Sequence, residues 1–184
     1  SLSSRAGQAK EFRDTMNRFI KDIRNDIRNT FDNEDFGKEK TLIRQEYQEK
    51  RNILMDKLNS NSIKYGFQVK SAQNGIYMMP VIDGRTIAEE EFDKLDEQTK
   101  KEFEDKSTIV QEQIMQVIAQ IKAIEREAEQ KIDEWQSNIA LLTISGHINL
   151  IKAKFKRNKK INKFLDNVKN DILKNISLFA THEE

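Results

Sequence analysis

The feature that most constrains this chain is a long stretch that contains no proline. From Glu97 to Phe155, only Gly146 interrupts a sequence that is otherwise compatible with helix. Proline removes a backbone donor and kinks a helix, so its absence here permits one very long helix. At a rise of about 1.5 Å per residue, such a helix spans roughly 75–90 Å, which implies an elongated molecule unless it bends at Gly146.

Apolar residues recur along this stretch at heptad spacing. They are three or four residues apart, with one extra step of four after Ala128. This repeat is typical of a coiled-coil seam with a single stutter. The predicted seam consists of Val110, Ile114, Val117, Ile121, Ile124, Ala128, Ile132, Trp135, Ile139 and Leu142.

Three shorter apolar stripes predict helices that can cover this seam. The first helix runs over residues 9–31, and the second ends near Tyr65, where Gly66 suits a C-terminal cap. The simplest packing lays these two helices and the last one along the long helix. The stripes are Phe12, Met16, Phe19, Ile20, Ile23, Ile27 and Phe31; then Ile43, Tyr47, Leu54 and Leu58; and finally Ile161, Phe164, Leu165, Val168, Ile172, Ile176 and Phe179.

Residues 67–82 form two apolar-rich runs separated by Asn74-Gly75. Asn-Gly is a strong signal for a two-residue hairpin turn, because both turn positions adopt positive φ. Such a turn pairs Gln73 with Ile76. Pro80 has no N–H to donate, so it should face an open edge. The face predicted to rest on the helices carries Phe67, Val69, Met78, Pro80 and Ile82.

The opposite face of this ribbon is a candidate contact surface. It carries Tyr77, Met79 and Val81, and a two-stranded ribbon in a thin chain cannot bury both of its faces. A contiguous exposed apolar strip usually marks a contact. We interpret it as a surface for unfolded polypeptide or for another part of a larger assembly. The competing interpretation is that the ribbon only covers the helices.

Turn and capping residues complete the predicted fold. Asp83-Gly84 predicts a second turn, a short acidic helix should begin near Ala88, and Asp96 can cap the long helix. The fold class is mainly α: an elongated antiparallel helical bundle or coiled coil with one long helix and a small β-hairpin. Its segments, within one elongated structural domain, are a helical hairpin (1–66), the β-hairpin with the acidic helix (67–95), and the long and C-terminal helices (96–184).

Composition excludes several classes of site. The chain has no cysteine and two histidines, too few for a disulfide, a thiolate zinc site or a typical histidine metal cluster. Phosphate-binding and metalloprotease motifs are absent, and carboxylates alternate with basic residues as on solvated helix faces. We therefore assign no catalytic, cofactor-binding or metal residue. His147 lies in an apolar stretch, and we interpret it as a buried, hydrogen-bonded structural histidine.

The stretch from Lys152 to Lys163 holds seven basic residues and no acidic one. Its plainest interpretation is a solvated turn between helices. A sharper one is contact with nucleic-acid phosphates, which would be unselective and salt-sensitive; a third is docking on an acidic partner. The net charge of +1 argues against a globally basic nucleic-acid binder. The candidate contact residues are Lys152, Lys156, Arg157, Lys159 and Lys160.

Cellular location is constrained only by what is missing. No apolar run reaches the length of a membrane span, and no signal peptide opens the chain, so we expect a cytoplasmic protein with no membrane partner. The chain begins with serine rather than methionine, which we interpret as the mark of a processed or excised piece.

An ordered series of short marks runs through nearly the whole chain. The marks are Ala6-Gly7, Lys10, Phe12, Tyr65-Gly66-Phe67, Gly75, Pro80-Val81, Asp83-Gly84, Glu90-Glu91-Phe92, Ser145-Gly146-His147-Ile148, Lys154-Phe155, Val168, Asp171-Ile172-Leu173, Asn175-Ile176 and Phe179. In order and spacing they resemble the helical region of Lon-related ATP-dependent proteases, in the branch with a long insertion inside the ATPase module.

The resemblance implies an accessory domain that lies between the Walker-A and Walker-B parts of an ATPase, with a serine–lysine protease domain later in the parent. None of those motifs can be placed here. The segment itself would then be no enzyme and bind no cofactor, whereas the parent would be an ATP-dependent serine endopeptidase that uses ATP and Mg. The implied partners are the rest of the protease chain, its ring and unfolded protein substrates. The segment would engage or gate substrate, or steady the ring.

Two other functions stay open at this point. One is a coiled-coil scaffold whose seam joins two chains, although a scaffold would not need a hairpin and three shorter helices to cover that seam. The other is a non-specific nucleic-acid-binding arm built on Lys152 to Lys163, although such an arm usually shows a wider basic field.

Overall fold

The computed structural model describes residues 2–175, with side chains from Arg5 onward. This part of the chain folds into helices and a small antiparallel sheet, which confirms the predicted mainly α class. The predicted stripe residues Ile176 and Phe179 lie outside the described residues. The elements are α1 (Leu2–Phe31), α2 (Glu34–Ile63), β1 (Phe67–Ala72), β2 (Gly75–Ile82), β3 (Arg85–Thr86), α3 (Glu89–Asp93), α4 (Glu97–Lys154) and α5 (Lys159–Lys174).

Helix α4 is the long helix that the proline-free stretch predicts. It is continuous for 58 residues and passes through Gly146 without a break. Asp96 precedes it as the predicted cap: the Thr99 hydroxyl donates to one carboxylate oxygen at 2.6 Å, and the Thr99 N–H donates to the other at 3.2 Å. These hydrogen bonds, the hydroxyl's above all, lower the pKa of Asp96 from its usual value.

The chain divides into two compact units. The central unit is Arg44–Glu129, and the terminal unit combines the described residues up to Ile43 with those from Gln130 onward. The division cuts through helices α2 and α4, so each of them contributes to both units.

The terminal unit is built around one apolar cluster from α1, α4 and α5. The predicted stripe of α1 supplies four buried residues, whereas Ile20 is exposed. Their spacing keeps them on one side of the helix. The buried residues of the cluster are Met16, Phe19, Ile23, Ile27, Ala140, Ile144, Ile148, Ile151, Phe155, Ile161, Leu165 and Ile172.

The predicted seam is wrong at its C-terminal end. Leu142 is 76% exposed, and the buried line passes instead through Ala140, Ile144 and Ile148. Apolar residues occupy most positions in this part of α4, so spacing alone does not select a side. The cluster with α1 and α5 decides which side is buried: the buried line passes through Ala140 instead of Ile139 and continues in steps of four residues.

Helix α5 begins with a side-chain cap that the sequence analysis did not identify. The side-chain Oδ1 of Asn158 accepts hydrogen bonds from the backbone N–H groups of Lys160 and Ile161. Phe164 was predicted to belong to the buried stripe of α5, and this prediction is wrong because the ring is exposed. The ring meets that of Phe12 edge-on, with centroids 5.9 Å apart. Its neighbour Leu165 takes the fully buried position, since adjacent helical residues point in different directions.

Trp135 packs against aromatic residues in the terminal unit, in line with its predicted packing role. Its ring stacks on Phe36 with centroids 4.3 Å apart, and Phe36 also contacts Phe31 at 4.7 Å. Phe36 is buried although it belongs to none of the predicted stripes. Stacked rings of this kind add to the stability supplied by burial alone.

The central unit has a smaller core between the sheet, α2 and α4. Gly66 lies at the junction of α2 and β1 with φ of +83°, and a Cβ there would meet the Phe103 ring at 3.2 Å. Glycine therefore suits this position both for its backbone and for its close approach to Phe103. The buried residues of this core are Leu58, Phe67, Val69, Val110 and Ile114.

The register of the first hairpin differs from the prediction by two residues. Gln73 and Asn74 form the turn, and Ala72 pairs with Gly75, whereas the Asn-Gly signal predicted a turn at Asn74-Gly75 with Gln73 opposite Ile76. Among described residues other than glycine, only Asp83 has positive φ, so Asn74 does not adopt the predicted conformation. A shift of two residues keeps the same side chains on each face.

Asp83-Gly84 makes the second predicted turn, and it has the positive φ values expected of such a turn: 51° and 79°. The turn adds strand β3, which was not predicted, so β2 is the middle strand and Pro80 does not lie at an outer edge. The Pro80 carbonyl accepts from Ile87 N–H at 3.0 Å, just after β3 ends. The missing proline donor therefore falls beyond the last residue pair of the ladder.

Candidate functional site

The outer strand face, defined as Tyr77, Met79 and Val81, lies on β2. Tyr77 is 48% exposed, and the other two side chains are half-buried. Strand alternation places them opposite Met78 and Pro80. The three residues that the sequence analysis grouped as a contact surface therefore share one partly exposed face.

A cleft of about 340 Å³, here called the apolar cleft, opens beside this face in the central unit. It lies between β2, the segment that follows β3, and the first turns of α4. Most of its lining is apolar, which is typical of sites that take an apolar group from a ligand. The lining residues are Phe67, Met78, Met79, Pro80, Ile87, Glu89, Phe92, Phe103, Glu104 and Ser107.

Two carboxylates give the apolar cleft its charge. Glu89 and Glu104 are exposed, form no ion pair with any described residue, and are the only charged groups in the lining. The neighbouring Glu91 differs, because it pairs with Arg85 at 3.2 Å. Unpaired carboxylates beside an apolar cleft favour a positively charged group there.

The sequence analysis did not identify this cleft. Met79 belonged to the predicted contact surface, but Phe92, Phe103 and Glu104 were not considered for a site. A usable signal was present: Phe92 and Phe103 are aromatic residues on either side of the Asp96 cap, so the two helices that meet there can bring their rings together. The rings contact edge-on, with centroids 6.0 Å apart.

The structure divides the basic stretch into paired and unpaired residues. Lys152 pairs with Asp166 at 2.6 Å and Lys154 with Glu11 at 3.0 Å, so these two cations connect elements of the terminal unit. The predicted contact residue Lys152 is therefore already engaged. Within this basic stretch, the exposed cations that have no ion-pair partner among the described residues are Lys156, Arg157, Lys159, Lys160 and Lys163.

These unpaired cations flank the loop between α4 and α5. A shallow, mostly polar depression of about 730 Å³ lies at this loop, lined by Gln8 and residues 154–160. Together with the Asn158 cap, the loop resembles the solvated turn of the plainest interpretation. Its charge also suits a polyanion, which it would attract without reading sequence.

His147 has a long-range partner that helical spacing could not reveal. Its Nε2 lies 2.5 Å from an Asp26 carboxylate oxygen, and its ring meets Phe19 edge-on at 6.4 Å between centroids. The His147 side chain is 26% exposed, so it is only partly buried where the sequence predicted a buried histidine, while the predicted hydrogen bond is present. Because Asp26 lies on α1 and His147 on α4, this hydrogen bond connects the two helices.

No group of three or more metal-ligating side chains occurs within residues 2–175. In that same range, no helix combines the length and the apolar character needed to cross a membrane. The second histidine of the sequence, His182, lies outside the described residues.

No protein-family model matches the chain, and no curated protein is significantly similar to it.

Proposed function

We propose that this chain is an accessory helical domain of a Lon-related ATP-dependent protease and that it engages unfolded protein substrates. The observation that carries the substrate role is the outer strand face, where Tyr77 stays 48% exposed beside an apolar cleft. Exposed apolar surface next to a cleft is typical of a contact site. Steadying the ATPase ring is the competing role, and it would use the same surface for a different neighbour.

The family assignment rests on the ordered series of marks. Several of them occupy positions where the structure restricts the residue type: Gly66 and Gly84 have positive φ, which favours glycine, and Phe67 is buried against Phe103. Such residues specify a fold rather than a reaction. They therefore support a shared architecture, and the catalytic machinery belongs to other parts of the parent, which we place in the cytoplasm and which would use ATP and Mg.

The substrate role is tested in the full-length parent with the double variant Tyr77→Ser/Met79→Ser. Degradation of an unfolded protein should slow, while hydrolysis of a small peptide should continue at the normal rate. Met115→Ser is the matched control, because Met115 is 70% exposed on α4 and lies outside the cleft lining. It should leave both rates unchanged.

The degradation rates are informative only if the double variant folds like the wild type. Partly exposed substitutions usually cost about 1 kcal/mol or less, so circular dichroism and thermal unfolding of the double variant should resemble those of the wild type. If both degradation rates survive, or if the double variant unfolds, the outer strand face is structural and the substrate role is wrong.

The chain by itself should hydrolyse neither ATP nor casein, because no phosphate-binding loop or activated nucleophile is present in its sequence. The measurement is phosphate release and casein cleavage across purification fractions. Nucleotide-dependent cleavage that follows the protein through every column would contradict the proposal.

A second candidate function is polyanion binding at the loop between α4 and α5, favoured by its unpaired cations. Lys159→Gln/Lys160→Gln should weaken binding of duplex DNA and reduce its salt dependence by about one to two counterions. Lys101→Gln/Lys106→Gln removes two exposed cations from the central unit and is the matched control. If the two double variants weaken DNA binding equally, or if the affinity does not change with salt concentration, a polyanion site at this loop is excluded.

A further inference from the structure

Backbone pairing in the sheet shows which side of β2 is still open. Val81 N–H donates to the Gly66 carbonyl at 2.8 Å, so Val81 directs its backbone groups toward β1. Antiparallel pairs alternate along a strand. The backbone N–H and C=O groups of Tyr77 and Met79 therefore also point toward β1, while those of Ile76 and Met78 point toward the side of β3.

Strand β3 is too short to cover that side. It pairs only with Val81 and Ile82, and Ile87 adds one hydrogen bond to Pro80. No described residue donates to or accepts from the backbone of Ile76 or Met78 on this side. An unpaired strand edge of this kind can accept another strand.

The opposite edge of the sheet is already engaged by side chains. Asn59 on α2 accepts from Val69 N–H at 3.0 Å, and Arg51 donates to the Ser71 hydroxyl at 2.8 Å. A new strand on β1 would have to displace these contacts. The edge of β2 at Ile76 and Met78 is therefore the better site for an added strand.

The apolar cleft adjoins this open edge. Its lining includes Met78 and Pro80 from β2, together with Ile87 and Phe92 from the segment that follows β3. A strand placed in line with β3 would thus have a side-chain pocket beside it. About 340 Å³ is near the small end of ligand pockets, which suits one large apolar side chain rather than a whole ligand.

Charge narrows the choice of segment further. Glu89 and Glu104 line the cleft without any basic residue beside them in the lining, so a bound segment gains from a positive charge next to its apolar side chain. An acidic neighbour would meet like charge instead.

We infer that an extended polypeptide segment binds by adding a strand to β2 at Ile76 and Met78, with a large apolar side chain in the apolar cleft and an adjacent lysine or arginine facing Glu89 and Glu104. The inference rests on the proposed function and specifies its substrate class: an unfolded segment in which an apolar residue neighbours a basic one. Main-chain hydrogen bonds supply affinity in this arrangement, and the cleft with its carboxylates supplies preference.

The test measures fluorescence anisotropy of short labelled peptides with the full chain. One peptide carries phenylalanine flanked by lysine, and a second carries the same phenylalanine flanked by glutamate. A third is the lysine peptide with alternate backbone nitrogens methylated, which removes donors to the edge. The lysine peptide should bind most tightly, and methylation should weaken it about two- to tenfold for each hydrogen bond lost.

The variant Glu89→Gln/Glu104→Gln should weaken the lysine peptide about two- to fivefold for each carboxylate and should reduce the preference over the glutamate peptide. Glu90→Gln/Glu112→Gln, which removes two exposed carboxylates outside the lining, is the matched control and should change neither.

Equal binding of the lysine and glutamate peptides, no effect of methylation, or no binding at all would overturn the inference. The inference would also be overturned if light scattering detected a dimer that must dissociate before the peptide binds, because a second copy of the chain would then occupy the edge.

The degradation assay in the parent separates the inference from the proposed function. Loss of degradation in Tyr77→Ser/Met79→Ser, without any peptide binding to the chain, overturns the inference alone. If the chain binds the lysine peptide as expected, but the parent with Tyr77→Ser/Met79→Ser still degrades unfolded protein at the normal rate, the inference is supported and the proposed function is overturned.

Discussion

The terminal unit and the central unit differ in how completely they bury their apolar side chains. Among the described residues of the terminal unit, eleven buried residues from three helices and Phe155, just after α4, form one cluster. In the central unit, five buried residues form the core, and most of the apolar residues around them are only half-buried. The difference follows from the elements: three amphipathic helices can enclose one another's stripes, whereas a three-stranded sheet offers two faces and two edges.

This difference separates stability from contact. Apolar burial is the main favourable term in folding, so the larger cluster should stabilise the terminal unit more strongly. The central unit leaves the outer strand face, the apolar cleft and one edge of β2 partly open. Surface that is not used for internal packing is the surface available to a partner.

The largest expected effect lies in the core of the terminal unit. Ile144→Ala should lower the free energy of unfolding by about 2–5 kcal/mol, because Ile144 is fully buried and its truncation leaves a cavity. Leu142→Ala, two residues away and 76% exposed, should change it by about 0.5 kcal/mol or less. Urea denaturation measures both. Equal losses of free energy would mean that the heptad seam continues through Leu142 and that the buried side of α4 in the terminal unit differs from the one described.

An intermediate effect is expected at the turns of the central unit. Gly84→Ala should cost about 1–2 kcal/mol, because Gly84 has φ of 79°, which side chains with a Cβ disfavour. Asn74→Ala should cost about 0.5 kcal/mol or less, since Asn74 is exposed and does not have positive φ. Chemical denaturation of both variants tests this order, and a larger loss for Asn74 would restore the predicted Asn-Gly turn.

The smallest expected effect concerns the cap of α4 in the central unit. The hydrogen bonds from Thr99 lower the pKa of Asp96 below 3.8, so the folded state holds this proton less tightly than the unfolded state. The cap therefore contributes stability above that value and loses it as the pH falls through the lowered pKa. Asp96→Asn should melt below the wild type at neutral pH, and the gap should narrow below about pH 4.

Thermal unfolding followed by circular dichroism between neutral and acidic pH measures this gap. Asp105→Asn, at an exposed position on the same helix, is the control and should show little gap at any pH. A gap for Asp96→Asn that stays constant throughout the acid range would mean that the carboxylate charge does not contribute to the cap.

Much of the local structure follows from residues close together in the sequence. The absence of proline and the cap at Asp96 predicted α4 almost to the residue, and Asp83-Gly84 predicted a turn that has the expected geometry. Helix spacing also identified the buried side of α1. Helix formation, capping and tight turns depend on groups only a few residues apart, so local sequence contains the information they need.

The candidate site was only partly predictable for the opposite reason. Strand alternation placed Tyr77 and Met79 on one face, but the cleft between Met79, Phe92 and Glu104 depends on how three separate elements meet. The basic stretch was visible as a group, but the engagement of Lys152 by Asp166 required the packing of α5 on α4.

By itself, the sequence determined the helices, the cap of α4, the Asp83-Gly84 turn and the faces of β1 and β2, because these are set by backbone preferences and periodicity over short distances. Only the tertiary structure decided that Leu142 is exposed while Ile144 is buried, that β1 pairs two residues out of the predicted register, and that His147 meets Asp26. The first and the last of these outcomes depend on an element that is distant in the chain: α1 and α5 for the buried side of α4, and α1 for His147. Packing against that element changes the free energy more than the local preference it overrides.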